Sequence, residues 1–200
     1  MMSDDTIDHL YSLRPQLDVL GQWACVMNAK TASTSITDGV LSHRVIMHHR
    51  GSRNWERVWR QVIVPRIDDV VWFTVVRNPW DRMVSVFHFL RQRGDLPQGL
   101  DFPAWIENLD LTDHFTAPQA RSFMLDGKQI SSMHVLRFEN LQEEWAVLAS
   151  VLGVSGQLPH RNRSSHRPYA EYYNQKTRQA VADRYAVEIA ALSYRFEPAV

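Results

Sequence analysis

The chain of 200 residues has a single cysteine, Cys25, which excludes an intramolecular disulfide framework and fits a reducing compartment. It also lacks any uninterrupted apolar stretch long enough for a signal-peptide core or a membrane span, and its first residues, "MMSDDTIDHL", open acidic. Net charge is missing too: 22 Lys and Arg offset 22 Asp and Glu, so there is no global basic excess of the kind that tracks a nucleic-acid backbone. Glycine is absent between Gly21 and Gly39, where the first strand-to-helix turn falls, so the Walker A pattern G-x-x-x-x-G-K-[ST] cannot be written there. These absences lead to the expectation of a cytoplasmic protein with no membrane span and no nucleic-acid partner. Its oligomeric state is not legible.

What is present is alternation of two kinds of segment. Near-continuous apolar runs mark strands buried on both faces of a parallel sheet, and "WACVM" (23–27), "VVWFTVV" (70–76) and "MHVLRF" (133–138) qualify, with "RVIMH" (44–48) a shorter and more polar fourth. Helical patterns follow each of them: "TSITDGVL", "RNWERVWRQVIV", "PWDRMVSVFHFLRQR" and "LQEEWAVLASVLG", the last ending at Gly153 as a C-cap. Residues 170–190 read as a closing helix. This order predicts an α/β fold of three layers, α/β/α, around a central parallel sheet, with sites at the carboxyl ends of strands. Length predicts one domain over 1–200, with an N-terminal extension over about 1–20 and an irregular insertion over 94–130 marked by Pro97, Gly99, Pro103, Pro118 and Gly127.

Two strand ends carry chemistry. "VMNAKTASTSI" (26–36) places Lys30 and a cluster of small hydroxylated residues at a strand-to-helix turn, offering free N–H groups, hydroxyls and an ammonium to an anion. A merely capped turn with a solvated lysine is the plainer alternative. "FTVVRNPWDRMVSVFHF" (73–89) ends its strand in Arg77, followed by Asn78 at the N-cap and Pro79 at the first helical position. A nucleotide kinase would use an Asp there to hold magnesium. A guanidinium suits a phosphate directly, unless it is paired with Asp81. "HRNRSSHR" (160–167) adds a local basic patch suited to an anionic ligand.

Taken in order, "AKTASTSI", "VVRNPWDRMVSVFHF", "VLRFENL" (135–141), "LPHRNRS" (158–164) and the tail over 169–196 resemble the sulfotransferase family that uses 3′-phosphoadenosine 5′-phosphosulfate, with the nearest likeness to carbohydrate sulfotransferases and their small bacterial relatives. The resemblance implies a fold related to P-loop kinases. It implies a phosphosulfate loop of Lys30, Thr31, Ala32, Ser33, Thr34 and Ser35, with Lys30 also stabilising the leaving phosphate. Arg77 and Ser85 match the pair that grips the 3′-phosphate, Phe138 the ring against adenine, and Arg161, Asn162, Arg163 and Ser164 the late loop over the nucleotide. Relatives commonly carry Ile-Pro-Lys before the loop and a glycine within it. Here Asn28-Ala29-Lys30 and Ala32-Ser33 stand instead, which should hold the backbone to conformations tolerable for alanine and serine.

Sulfuryl transfer needs a base for the acceptor proton, and histidine suits that task. "SHRVIMHHRG" (42–51) supplies His48 and His49, which strand alternation sends to opposite faces, so a shared metal is not expected. A histidine at this strand end resembles some carbohydrate sulfotransferases, and Glu56 is the reserve. "HFTAPQARSF" (114–123) sets Gln119 and Arg121 among apolar neighbours, either touching the acceptor or on an ordinary surface helix. The expected reaction moves a sulfuryl group from that donor to a hydroxyl or amine of a carbohydrate or small-molecule acceptor, releasing 3′-phosphoadenosine 5′-phosphate, with no metal. Two rivals stand beside it: a nucleotide-binding module without turnover, and a P-loop phosphotransferase.

Overall fold

In the computed structural model, residues 23–32, 35–36, 46–48, 60, 63–154, 156–158 and 166–197 are described. A four-stranded sheet is built from β1 (Trp23–Met27), β2 (Ile46–His48), β3 (Val71–Val76) and β6 (Met133–Arg137), in the order β2-β1-β3-β6, with every neighbouring pair parallel. The three longer strands fall where the apolar runs predict, and the described part of β2 falls within "RVIMH".

Strand periodicity divides the side chains between two cores. Ala24 and Val26 of β1 with Trp72 and Val76 of β3 enter one, beneath helix α1 (Pro79–Arg93) and the C-terminal helices α4 (Gln175–Arg184) and α5 (Ala186–Leu192). Trp23, Cys25 and Met27 with Phe73 and Val75 enter the other, beneath α3 (Leu141–Leu152). There Trp145 sits 5.7 Å from Phe73, itself 5.8 Å from Trp23, and such aromatic pairs add about 0.5–1.5 kcal/mol each beyond their buried area. Helices therefore cover both faces of the sheet. Burial pushes the Cys25 thiol up, which makes it a packing group and not a nucleophile.

Helix α1 starts and stops by local chemistry. The Asn78 side chain accepts from Trp80 N–H at 3.1 Å, Pro79 occupies the first helical position, and Gly94 closes the helix with φ 77°. Gly153 does the same for α3 with φ 65°. The closing helix expected over 170–190 is two helices meeting at Tyr185, preceded by a 3-10 turn (Tyr169–Tyr172). Tyr185 gives the break a tertiary reason: its hydroxyl donates to Thr116 O at 2.6 Å.

The segment 94–130 is more ordered than its Pro and Gly content suggests. It holds α2 (Phe102–Glu107), a 3-10 turn (Gln119–Ser122), and an antiparallel hairpin of β4 (Met124–Leu125) with β5 (Lys128–Gln129). The hairpin turns through Asp126 (φ 52°) and Gly127 (φ 72°), the Asp-Gly pair that a type I′ turn favours. Among the described residues no helix is long and apolar enough to cross a membrane.

Candidate functional site

The order β2-β1-β3-β6 reverses direction between β1 and β3, because the chain leaves β1 for β2 on one side and returns to β3 on the other. In an open α/β sheet the crevice beyond the carboxyl ends of such a strand pair is where ligands bind. Residues 28–32 follow β1 and Arg77 follows β3, so the topology brings both chemistry-bearing segments to that crevice. Arg77 Nη1 donates to Lys30 O at 3.3 Å across it.

The loop after β1 takes a shape that its sequence argues against. Lys30 has φ 63° and Ala32 φ 66°, both left-handed, with negative φ at Ala29 and Thr31 between and before them. Alternation of this kind aims successive N–H groups to one side, forming a concavity suited to an anion. The loop without glycine thus uses conformations that alanine and lysine tolerate only at a cost. Local bonds hold the strained form: Thr31 Oγ1 donates to Asn28 O at 2.9 Å, and Ile36 N–H donates to Ala32 O at 3.1 Å. Asn28 is anchored in turn, its amide facing Thr74 Oγ1, Val75 O and Ser122 Oγ at 2.9–3.1 Å. A left-handed alanine costs about 1 kcal/mol relative to glycine. We expect Ala32→Gly to add about 0.5–1 kcal/mol of stability, read as a higher urea midpoint with an unchanged slope; a lower midpoint would show that the strain is not there.

Arg77 is 6% exposed, and its guanidinium is held on three sides. Its Nε donates to Asp81 Oδ2 at 2.7 Å, its Nη1 reaches Lys30 O, and its plane lies 4.3 Å from the centroid of Phe138. Both sequence alternatives for Arg77 thus meet in one geometry: it is paired with Asp81 and still stands at the loop. The pair fixes the Nε edge while Nη1 reaches Lys30 O across the crevice. Phe138 begins the 3-10 turn after β6 (Phe138–Asn140), and the same turn supplies Glu139, which accepts from Asn78 N–H at 2.6 Å and from Tyr194 O–H at 3.2 Å.

Lys30 is half-buried, with its Nζ 4.3 Å from the centroid of the Phe89 ring. Burial, and then the Arg77 charge, lower its pKa from the ordinary lysine value. For a base lowered in the fold, folding is penalised while the amine is charged, and the penalty is relieved as pH rises from the native pKa to the unfolded one. On the alkaline side, kcat/KM for an anionic donor should fall with an apparent pKa below 10.5, and Lys30→Arg should move that limb upward. A limb unmoved in the arginine variant would assign it to another group.

Of the remaining residues expected at the site, Thr31 and Ser35 are buried, the first with its hydroxyl turned back into the loop and the second at the start of the following helix. Ser85 is buried in the second turn of α1, four residues beyond Asp81 and so on the same face. His48 closes β2 and pairs in register with Met27, which places its backbone one strand from the loop. Ser33, Thr34, His49, Glu56, Arg161, Asn162, Arg163 and Ser164 lie outside the described residues.

Sequence reasoning singled out Gln119 without its role, and missed Glu188 behind it. Gln119 is fully buried: its Oε1 accepts from Arg77 N–H and its Nε2 donates to Arg77 O, both at 2.8 Å, and Nε2 also reaches Glu188 Oε1 at 2.9 Å. It belongs to neither of the roles open to it in the sequence, since it clamps a main chain. Glu188 is fully buried on α5, its second oxygen accepting from Ala120 N–H at 3.0 Å, and burial raises its carboxyl pKa. A glutamate inside the apolar run "AVEIAAL" is the one signal that could have pointed to it.

Comparison with known proteins adds an independent finding. A family model described as "Sulfotransferase family" matches residues 18–196. A crystal structure of a sulfotransferase from Alicyclobacillus acidocaldarius is similar over 84% of this chain and 72% of that one, at 18% identity and a TM-score of 0.41. No curated protein matches.

Proposed function

The chain belongs to the sulfotransferase family, and from that premise we propose that it transfers a sulfuryl group from 3′-phosphoadenosine 5′-phosphosulfate to a hydroxyl or amine of an acceptor. The observation that carries the reading is the meeting of Lys30 and Arg77 over a loop of alternating backbone hand at the sheet's switch point. The residues present fit a donor with two anionic ends. Main-chain N–H groups of 30–35 and the Lys30 ammonium suit the 5′-phosphosulfate, and the Arg77 fork with Ser85 suits the 3′-phosphate. Phe138 offers its ring to adenine, which would share that ring with the guanidinium or displace it. Arg161 to Ser164 complete the nucleotide site in this proposal.

In the reaction the acceptor oxygen bonds to sulfur as the bond from sulfur to the phosphate oxygen breaks. The acceptor proton passes to a base, His48 or His49, with Glu56 in reserve. Lys30 and the loop N–H groups face the oxygen on which negative charge grows, and fixed donors of this kind stabilise the transition state more than the ground state. No metal is required of the chain's own residues for this step. The finer readings stand on the same footing: a fold related to that of P-loop kinases, a place in the carbohydrate branch, a single domain and a cytoplasmic location.

The test is direct. Radiolabelled donor is offered with a broad panel of hydroxylated acceptors, and the melting temperature is measured with and without 3′-phosphoadenosine 5′-phosphate. Labelled product together with a nucleotide-dependent rise supports the proposal. A rise without product under any condition favours a binding module, and magnesium-dependent consumption of ATP favours a phosphotransferase.

A further inference from the structure

The Phe89 ring that receives Lys30 Nζ belongs to a larger surface. Phe89 pairs with Phe115 at a centroid distance of 5.3 Å, and Arg93 lies over both rings, 5.4 Å from the first centroid and 5.8 Å from the second. Phe89 and Arg93 are four residues apart on α1 and share a face of it, while Phe115 comes from the loop before the 3-10 turn. Both rings are only half-buried, although the neighbouring Phe87, Phe102 and Phe123 are fully packed into the core. An aromatic ledge that carries two cations, Lys30 over Phe89 and Arg93 over both rings, thus runs from Lys30 toward the C-terminal end of α1.

Resting on the sulfotransferase reading, we propose that this ledge is the acceptor subsite and that it takes a hydroxylated ring carrying an acidic group. The ring takes the place over Phe89 and Phe115 that the two cations now occupy, and draws Lys30 to its hydroxyl and Arg93 to its acid. Spacing sharpens the class. Lys30 Nζ and Arg93 Cζ can be no farther apart than the sum of their distances to the Phe89 centroid, so hydroxyl and acid sit on one ring or on adjacent rings. Arg93 is prepared for the part, since its Nε is held by Asp95 Oδ2 at 2.8 Å and its two Nη groups remain to meet a carboxylate as a fork. With its side chain 49% exposed, the guanidinium is within reach of a ligand and dispensable to the core.

Acidic sugars and phenolic acids share this chemistry, and the assay separates them. With the sulfuryl donor fixed, kcat/KM is compared for a neutral hexoside against the matching uronic acid, and for a phenol against 4-hydroxybenzoate. The acidic member of at least one pair should be preferred about tenfold, the scale of one charge-assisted hydrogen bond, and the pair that shows it names the source. Arg93→Gln should erase that preference while leaving the melting shift with 3′-phosphoadenosine 5′-phosphate intact. Phe115→Leu should raise KM for the acceptor and not for the donor. Transfer without preference for the acid, or a preference that survives in Arg93→Gln, overturns the subsite alone. Absence of transfer to every acceptor, with no nucleotide shift, overturns the sulfotransferase reading as well.

Discussion

Lys30→Ala should lower kcat by about 10²–10³-fold while 3′-phosphoadenosine 5′-phosphate still raises the melting temperature nearly as it does in the parent. The asymmetry follows from where charge develops. Sulfuryl transfer leaves new negative charge on the bridging phosphate oxygen, and a single ammonium aimed there matters most in the transition state. Lys30 is half-buried, so its charge acts with less screening than that of a surface lysine, at the cost in pKa already described. In the proposed site the product nucleotide would still meet the loop N–H groups and Arg77. Steady-state kinetics beside a thermal shift separates the two effects, and a variant that keeps kcat but loses the nucleotide would make Lys30 a binding group only.

Arg77→Ala should do the reverse, weakening nucleotide binding by about 2 to 4 kcal/mol, the scale of losing one partner of a desolvated charge pair. It removes the fork, uncovers the face of Phe138 and leaves Asp81 without its 2.7 Å partner in the crevice, so the lost attraction is joined by a new repulsion toward an anion. The double variant with Asp81→Asn cancels that repulsion and should recover part of the loss. Titration calorimetry with 3′-phosphoadenosine 5′-phosphate measures both variants. An Arg77→Ala protein that binds like the parent would remove Arg77 from the 3′-phosphate.

The features legible in the sequence were those set by neighbours in the chain. Asn78 and Pro79 announce the start of α1, Gly94 and Gly153 end two helices, and the apolar runs of β1, β3 and β6 need both faces covered. That Lys30 and Arg77 come to one crevice was legible because strand ends in a parallel sheet share one edge. The rest depends on contacts that sequence spacing does not encode. Gln119 reaches Arg77 from 42 residues away, and Asn28 meets Ser122 across 94. The left-handed backbone at Lys30 and Ala32 was hidden for a different reason: propensity argues against it, and the bonds from Thr31 and Ile36 outweigh propensity. The Asp126-Gly127 hairpin, by contrast, carried a readable turn signal within a stretch that looked irregular.

The clamp on Arg77 also ties the crevice to the last described residues of the chain. Gln119 is oriented by Glu188, and the Asn78 side chain donates to Arg195 O, 117 residues farther along the chain. Trp80 completes the tie through Phe196 at 5.7 Å. β1, β3 and α1 precede these partners in the chain, so the elements that shape the crevice and those that hold Arg77 rigid come from opposite ends of the described residues. A chain cut before residue 188 would keep Lys30 and Arg77 but lose the Glu188 partner of Gln119, the Arg195 acceptor of Asn78 and the Phe196 ring against Trp80.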